Sequence, residues 1–238
     1  MHQDEVYNFN FWPAFSDLML TILLVIISIL FIYITKSLTH YHKLDEIEQT
    51  QWKIIEELKS EFNLPNDKVS KDTTSCVFRI GDNDSFFIDL SPDAQRFSFG
   101  GQILFKFAQD TLSVQGKSIL WKIGEVIRKN QEKIEEIQIQ GHTDTTNKTN
   151  ITYEGFDFNL DLGAKRAMRV YMYMINESGF NPDEMFISAT TYGKHVPTDR
   201  RKAEVKTWNR DSTNRANESK EKRDLNRRIE LVLKFPSK

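Results

Sequence analysis

Asp144 closes the run IQIQGHTD, and Arg166 follows in NLDLGAKRA. A carboxylate and a guanidinium fork together suit a zwitterionic ligand that carries both an amine and a carboxylate. For that, Asp144 must stand just past a strand end, at the rim of a sheet, with Arg166 on the first turns of the next helix near the same rim. The alternative is an intramolecular Asp144–Arg166 pair with no ligand. Arg227 and Arg228 are adjacent at the start of a further strand-like run, so they point to opposite faces and only one of them reaches such a cleft. A second acid, Asp17, directly precedes LMLTILLVIISILFIYI. A carboxylate at mid-membrane depth costs about 2.5–3.5 kcal/mol, and such groups usually face a protein interior or a water-filled path. Pro13 suits the first helical position, which places Asp17 just over one turn inside; the alternative is a helix that begins at Leu18 and is capped by Ser16 or Asp17.

Other chemistries find little support. His142 and His195 read as rim or loop histidines, and the sequence holds no Ser-His-Asp order, HExxH or P-loop, so no enzyme, metal site or cofactor is expected. Cys76 is the only cysteine, which excludes an intramolecular disulfide. Asp82 and Asp84 lie in GDNDS, which lacks the offsets of a calcium loop and reads as a polar hairpin turn. Of 238 residues, 32 are basic and 34 acidic, and a net charge of −2 gives no argument for direct nucleic-acid binding. With 39% hydrophobic and 28% charged residues, the chain is not of a disordered class.

The elements that must position these residues follow from periodicity. Phe11 to about Thr35 is apolar and, as a helix, extends roughly 37 Å, more than the ~30 Å hydrocarbon core. A cleaved signal peptide is disfavoured, because no Lys or Arg precedes the run and no small-x-small site ends it. Lys36 and Lys43 after the span, with Asp4 and Glu5 before it, favour an outside amino terminus by the positive-inside rule. That signal is only two lysines deep, and long domains translocate largely regardless of charge. Residues 36–62 stay helical, with Leu44, Ile47, Gln51, Ile54 and Leu58 at coiled-coil spacing. This stretch is either a seam against a second copy or a helix lying on its own domain. Residues 63–75 read as a linker, and Cys76–Ile80 and Phe86–Leu90 as a hairpin. Strand-like alternation over Phe97–Phe107 is interrupted by Gly100-Gly101. A helix capped by Ser113 follows, then strand Glu136–Gln140, helix Leu162–Ser178 ended by Gly179, and strands Met185–Tyr192 and Arg228–Phe235. Residues 194–224 read as a long polar, basic loop. Strands alternating with helices indicate an α/β sandwich.

IQIQGHTD, NLDLGAKRA, YGKHVP and NRRIELVL occur in this order over residues 97–235, and together they resemble the OmpA-like peptidoglycan-binding domain shared by MotB-type proteins. The resemblance implies that Asp144 and Arg166 hold the diaminopimelate of a stem peptide. Asn159 and Leu162 would shape the helix entry, with Thr143 and Asn226 in support. The chain departs from the family at residues 145–158, a longer insertion, and at Gly163, where Ser is common. FWPAFSDLM resembles the membrane motif of MotB-type ion-driven stator subunits, in which the Asp is the ion-binding carboxylate. The short, non-basic amino-terminal tail is more similar to the ZorB family, the MotB-like components of Zorya antiphage systems. That likeness implies a homodimer inside a pentameric ZorA or MotA-like membrane subunit, with protons passing by Asp17. One charge crossing ~150 mV gains roughly 3.5 kcal/mol, comparable to the cost of ionising a buried carboxylate.

The expected architecture is therefore α/β, with a single N-terminal transmembrane helix, a helical linker and a periplasmic OmpA-like sandwich domain. The segments are a cytoplasmic tail (1–10), the span (11–35), a helical or coiled-coil linker (36–62), a linker and hairpin (63–96) and the domain (97–238). The location is the bacterial inner membrane with the amino terminus cytoplasmic. A flagellar-type stator subunit and a passive wall-anchored tether are the alternative functions.

Overall fold

Between Pro13 and Pro65 the chain holds no glycine or proline, and it forms one helix, α1 (Trp12–Glu61). The computed structural model describes residues 11–65, 69–71, 74–80, 84–106, 109–146, 158–202 and 207–236. The expected tail over residues 1–10, Asp82 with its neighbours 81 and 83, and positions 147–157 of the insertion lie outside the described residues. The chain divides into two compact units, one through Glu46 and one from Ile47 to the end.

In the first unit the Phe15 amide donates to the Phe11 carbonyl at 3.0 Å, so the helix opens one residue before Pro13. Asp17 thus sits within the helix, and no cap forms at Ser16 or Asp17. Apolar side chains from Trp12 to Ile34 are exposed. Among the described residues, this is the one helix long and apolar enough to cross a membrane.

The second unit begins with the last turns of α1, which bury Ile47, Gln51, Ile54, Ile55 and Leu58. The seam spacing is thus used inside the chain's own domain. Gln51 Nε2 donates to the carbonyls of Ser91 (2.8 Å) and Ala94 (3.2 Å), and the Gln51 carbonyl accepts from Gln95 Nε2 at 3.2 Å. The helix stops where Asn63 takes φ 51° and the Leu64 amide reaches back to the Lys59 carbonyl at 3.0 Å, a left-handed cap followed by Pro65.

Seven strands form one sheet: β1 (Val69–Lys71), β2 (Ser75–Arg79), β3 (Ser85–Ser91), β4 (Ala94–Gly100), β5 (Glu136–His142), β6 (Phe186–Gly193) and β7 (Arg228–Lys234). Their order is β1-β2-β3-β4-β7-β5-β6, antiparallel except for the parallel β5–β6 pair. Strands β1, β2 and β3, which fall in the stretch expected to lie outside the domain as linker and hairpin, are thus part of its sheet. The reason is apolar: Cys76, Phe78, Phe86 and Ile88 alternate inward and are fully buried beside Phe97 and Phe99. Phe78, Phe86 and Phe99 stack in sequence at 5.0 and 5.1 Å between ring centroids.

The strand-like alternation over 97–107 breaks where Gly100-Gly101 interrupts it, and β4 ends at Gly100. There the Gly101 amide donates to the Arg227 carbonyl at 2.7 Å, and the chain turns into the short helix α2 (Gly101–Leu104). Ser113 caps α3 (Val114–Lys129) as expected, accepting from the Gly116 amide at 2.8 Å. An added Cβ at Gly116 would meet the Leu104 carbonyl oxygen at 2.2 Å, so glycine permits the α2–α3 approach. Helix α4 (Phe158–Asn176) starts four residues before the expected Leu162. It buries Ala167, Val170 and Met174 against the sheet core. Beyond its end Gly179 takes φ +72°, as a left-handed stop requires. The expected loop over 194–224 instead holds three short helices, α5 (Thr198–Lys202), α6 (Arg210–Arg215) and α7 (Lys220–Asn226). Asn209 and Ser219 cap α6 and α7 by accepting from the amides of Ser212 and Lys222.

Candidate functional site

Strand β5 hands its end to Thr143 and Asp144, and the Thr143 amide still bonds the Gly193 carbonyl at 2.9 Å. Both side chains therefore emerge at the sheet rim, beside the first turns of α4. A cleft of about 370 Å³ opens there, lined among others by Thr143, Asp144, Asn159, Leu162 and Arg166. Asp144 and Arg166 share the cleft but do not pair. Asp144 forms its ion pair with Arg227, and it accepts from the amide and hydroxyl of Thr146, both at 3.0 Å. Arg227 also pairs with Asp224 and so bridges two carboxylates. Arg166 is only 6% exposed; its Nε and Nη2 donate to the Gln109 carbonyl at 3.1 and 3.0 Å, and its guanidinium lies 5.2 Å over the Phe105 ring. Burial, and next the charge of Arg227, lower its pKa from the ordinary arginine value. Its Nη1 lies against Gly101, where an added Cβ would stand 3.4 Å away.

Sequence reasoning left open which of Arg227 and Arg228 enters the cleft, and the structure answers it. Arg227 lines the cleft, while Arg228 turns to the opposite face and bonds Glu230 at 2.6 Å. Lys106, Asp84, Asp224 and Phe158 also line the cleft and were missed. Asn226 does not line it. Its Nδ2 donates to the Ala216 carbonyl (2.8 Å) and Asn217 Oδ1 (2.9 Å), and its Oδ1 accepts from the Thr198 amide (2.8 Å), so it ties α7 to the preceding segments. Asn159 is 2% exposed within the helix entry. Thr143 Oγ1 is buried without a hydrogen-bond partner among the described residues. Three cations and three carboxylates around apolar Ile103, Phe158 and Leu162 make a surface that matches a molecule carrying both signs of charge.

Behind the rim, on the polar face of the sheet, Glu230 is fully buried. It pairs with Arg228 and Arg96, and His142 Nε2 stands 3.6 Å away. Burial alone would raise its pKa, but His142, Arg228 and Arg96 together hold the carboxyl well below the usual range. His142 stacks on Tyr192 at 5.3 Å, with Nδ1 3.2 Å from the Val196 carbonyl. Burial lowers the His142 pKa; Glu230 opposes and Arg228 assists. His142 is thus buried behind the rim, whereas His195 lines a different cavity.

In α1, Thr21 Oγ1 bonds the carbonyls of Asp17 (3.1 Å) and Leu18 (2.8 Å), Ser28 Oγ that of Leu24 (2.8 Å) and Thr35 Oγ1 that of Phe31 (2.9 Å). At 3.6 residues per turn, Asp17, Thr21, Ser28 and Thr35 fall within about 40° of one another around the helix. Asp17, Thr21, Ser28 and Thr35 thus form a polar stripe, a helical-wheel signal that sequence reading missed, with Ser16 and Tyr33 outside it. Phe11 and Trp12 stack at 5.3 Å, and Trp12 meets Phe15 edge-on at 6.0 Å.

Fold and cleft define an OmpA-like α/β sandwich domain that follows a helix of membrane-spanning length. Residues 104–215 match the OmpA family model. Crystal structures of MotB periplasmic domains share the fold. One matches with TM-score 0.51 and 22% identity over 70% of this chain and 77% of that one. The Helicobacter pylori domain matches with TM-score 0.50 and 22% identity over 71% and 87%. A MotB-like protein from Desulfovibrio vulgaris gives TM-score 0.55 and 18% identity over 81% and 99%. No curated protein matches the chain by sequence.

Proposed function

We propose that this is the MotB-like subunit of a proton-driven rotary complex, held in the inner membrane by its single span and anchored to peptidoglycan by its periplasmic domain. The amino terminus is cytoplasmic, residues 11–35 span the membrane, and Asp17 takes up and releases the proton. Two copies sit within a pentameric MotA-like partner. The likeness of FWPAFSDLM to the membrane motif of MotB-type ion-driven stator subunits supports the ion-conducting role, and a ZorB-type component of Zorya antiphage defence is the form of it we favour. One observation carries the reading. A cleft presenting Asp144, Arg166 and Arg227, with an unpartnered buried Thr143 hydroxyl, lies in the same chain as an apolar helix whose acid heads a polar stripe.

In the cleft, Arg166 receives the carboxylate and Asp144 the amine of a diaminopimelate residue. Asn159 and Leu162 shape the entry, Thr143 adds a hydroxyl, and Asn226 supports from behind by fixing the helix that ends next to Arg227. Retention on purified cell wall tests this half: Arg166→Ala should elute where the wild type stays bound, and equal retention would defeat the assignment. Asp17→Asn tests the other half. It should abolish proton-dependent function while assembly and wall retention persist; full function in that variant leaves only a passive tether. Loss of phage resistance in a deletion strain supports the defence role, and loss of motility alone would replace it with a flagellar one.

A further inference from the structure

A second cavity, of about 570 Å³, lies on the other side of the segment that carries Asp144. Thr145 lines it, whereas Thr143, Asp144 and Thr146 line the cleft, so one stretch of chain borders both cavities. Lys194, Arg200 and Arg210 contribute three cations, and no carboxylate occurs among its described lining residues. The aromatic wall is fixed before any ligand arrives. Trp208 Nε1 donates to Thr213 Oγ1 at 2.9 Å, and Thr213 Oγ1 in turn donates to the Asn209 carbonyl at 3.2 Å. Arg200 lies 6.0 Å over the Trp208 ring and is tied by Nη1 to the His195 carbonyl at 2.6 Å, so its guanidinium is held in place. Two guanidinium groups, one of them pre-oriented, beside amide and hydroxyl groups form a receptor for an oxyanion.

We propose that this cavity is a carboxylate subsite for the same wall polymer: it takes the free glutamyl α-carboxylate of the stem peptide whose diaminopimelate occupies the cleft. The proposal rests on the wall-binding reading above. Geometry favours a peptide carboxylate over an unrelated anion, because only one backbone segment separates the two cavities. Arg200 and Arg210 then fix the register of the stem, and the cleft reads its zwitterionic end.

The test uses the full-length protein in detergent micelles, titrated calorimetrically with two synthetic stem tripeptides that carry diaminopimelate. One bears a free glutamyl α-carboxylate and the other has that group amidated; inorganic phosphate is a third titrant. Wild type should bind the acid form on the order of tenfold more tightly than the amide, the scale of one charge-assisted contact. Arg200→Ala with Arg210→Ala should erase that preference and leave affinity for the amide unchanged. Arg210→Glu alone, at an exposed position, should erase it too, which guards against loss of fold at Arg200. Equal binding of the two peptides by wild type, or a preference that survives in both variants, overturns the subsite alone. Phosphate binding that depends on Arg200 and Arg210 without any acid–amide difference overturns it in favour of a free-anion site. Failure of wild type to bind either peptide overturns the wall-binding reading itself.

Discussion

Gly163 holds α4 against the end of β5, and replacing it with alanine tests whether that contact sets the cleft. A Cβ built there would stand 2.4 Å from Thr191 Oγ1, a distance no real contact tolerates. Thr191 Oγ1 cannot rotate away freely, since it donates toward the carbonyls of Gly141 (3.3 Å) and Leu160 (3.4 Å) and accepts from the Gly193 amide (3.2 Å). Overpacking costs about 1–3 kcal/mol, and displacing those bonds about 1 more. The helix propensity of alanine over glycine returns about 1 kcal/mol. The net loss of about 1–3 kcal/mol should lower Tm by about 3–10 °C in a domain of this size. Removing the hydroxyl relieves the clash, because Thr191 Cβ would then lie at an ordinary 3.5 Å. Gly163→Ala with Thr191→Ala should therefore melt no lower than Thr191→Ala alone, a coupling of about 2 kcal/mol in the double-mutant cycle. Wall retention should fall in the single Gly163→Ala variant and recover in the double, because Arg166 lies on the next turn of the same helix. Thermal melts of the four proteins decide it. A single Gly163→Ala variant at or above wild-type Tm, or a double variant below both singles, refutes the reasoning.

Glu230→Gln leaves Arg228 buried without its anion and should cost about 3–5 kcal/mol, seen as a large drop in the urea midpoint. Two pH windows are expected. The His142 pKa is held below its ordinary 6.5, so the unfolded chain takes up the proton first and stability falls as pH drops below about 6.5. His142→Gln should flatten that limb of a Tm–pH curve. The Glu230 pKa is likewise depressed, so its contribution is complete above the ordinary 4.5 and is lost only at lower pH. Glu230→Gln should remove that second limb and spare the first. Gln51→Ala strips donors from the Ser91 and Ala94 carbonyls and should cost about 1–3 kcal/mol by chemical denaturation. An unchanged midpoint would show that water replaces the amide. Arg227→Ala should weaken wall retention with a smaller loss of stability than Glu230→Gln, since its side chain is 32% exposed and that of Glu230 is fully buried.

Much of this architecture is legible in local pattern. Period-two apolar residues locate β2, β3, β5 and β7 within a residue or two, Ser113 marks the start of α3, and Gly179 lies just past the end of α4. Each of these signals is carried by the backbone next to the residue that emits it. The failures need a distant partner. Gly100-Gly101 marks the break after β4 locally, but that the chain turns there into a helix is fixed by the Arg227 carbonyl, from the far side of the domain's sequence. The seam at Ile47, Gln51, Ile54 and Leu58 is equally good for two occupants, and only the carbonyls of Ser91 and Ala94 distinguish them. Residues 194–224 look like loop because their helices are too short to show a period. Their order comes from Asn226, which gathers Thr198, Ala216 and Asn217 around a single amide.

The cleft shows the same division at the scale of single charges. Asp144 and Arg166 are legible as a carboxylate and a guanidinium near one rim, but charge alone does not say which arginine takes the acid. Arg166 is withheld from Asp144 by two neutral contacts, the Gln109 carbonyl at 3.0–3.1 Å and the Phe105 ring at 5.2 Å. Both come from the turn between α2 and α3, whose close approach depends on Gly116. Arg227 arrives instead at the end of α7, one residue before β7 and Arg228, whose opposite orientation is held by fully buried Glu230. A buried carboxylate on the polar face of the sheet thus decides which guanidinium enters the cleft at its rim. The two sites are joined by the Arg227–Arg228 peptide, so damage at Glu230 should be felt at Asp144.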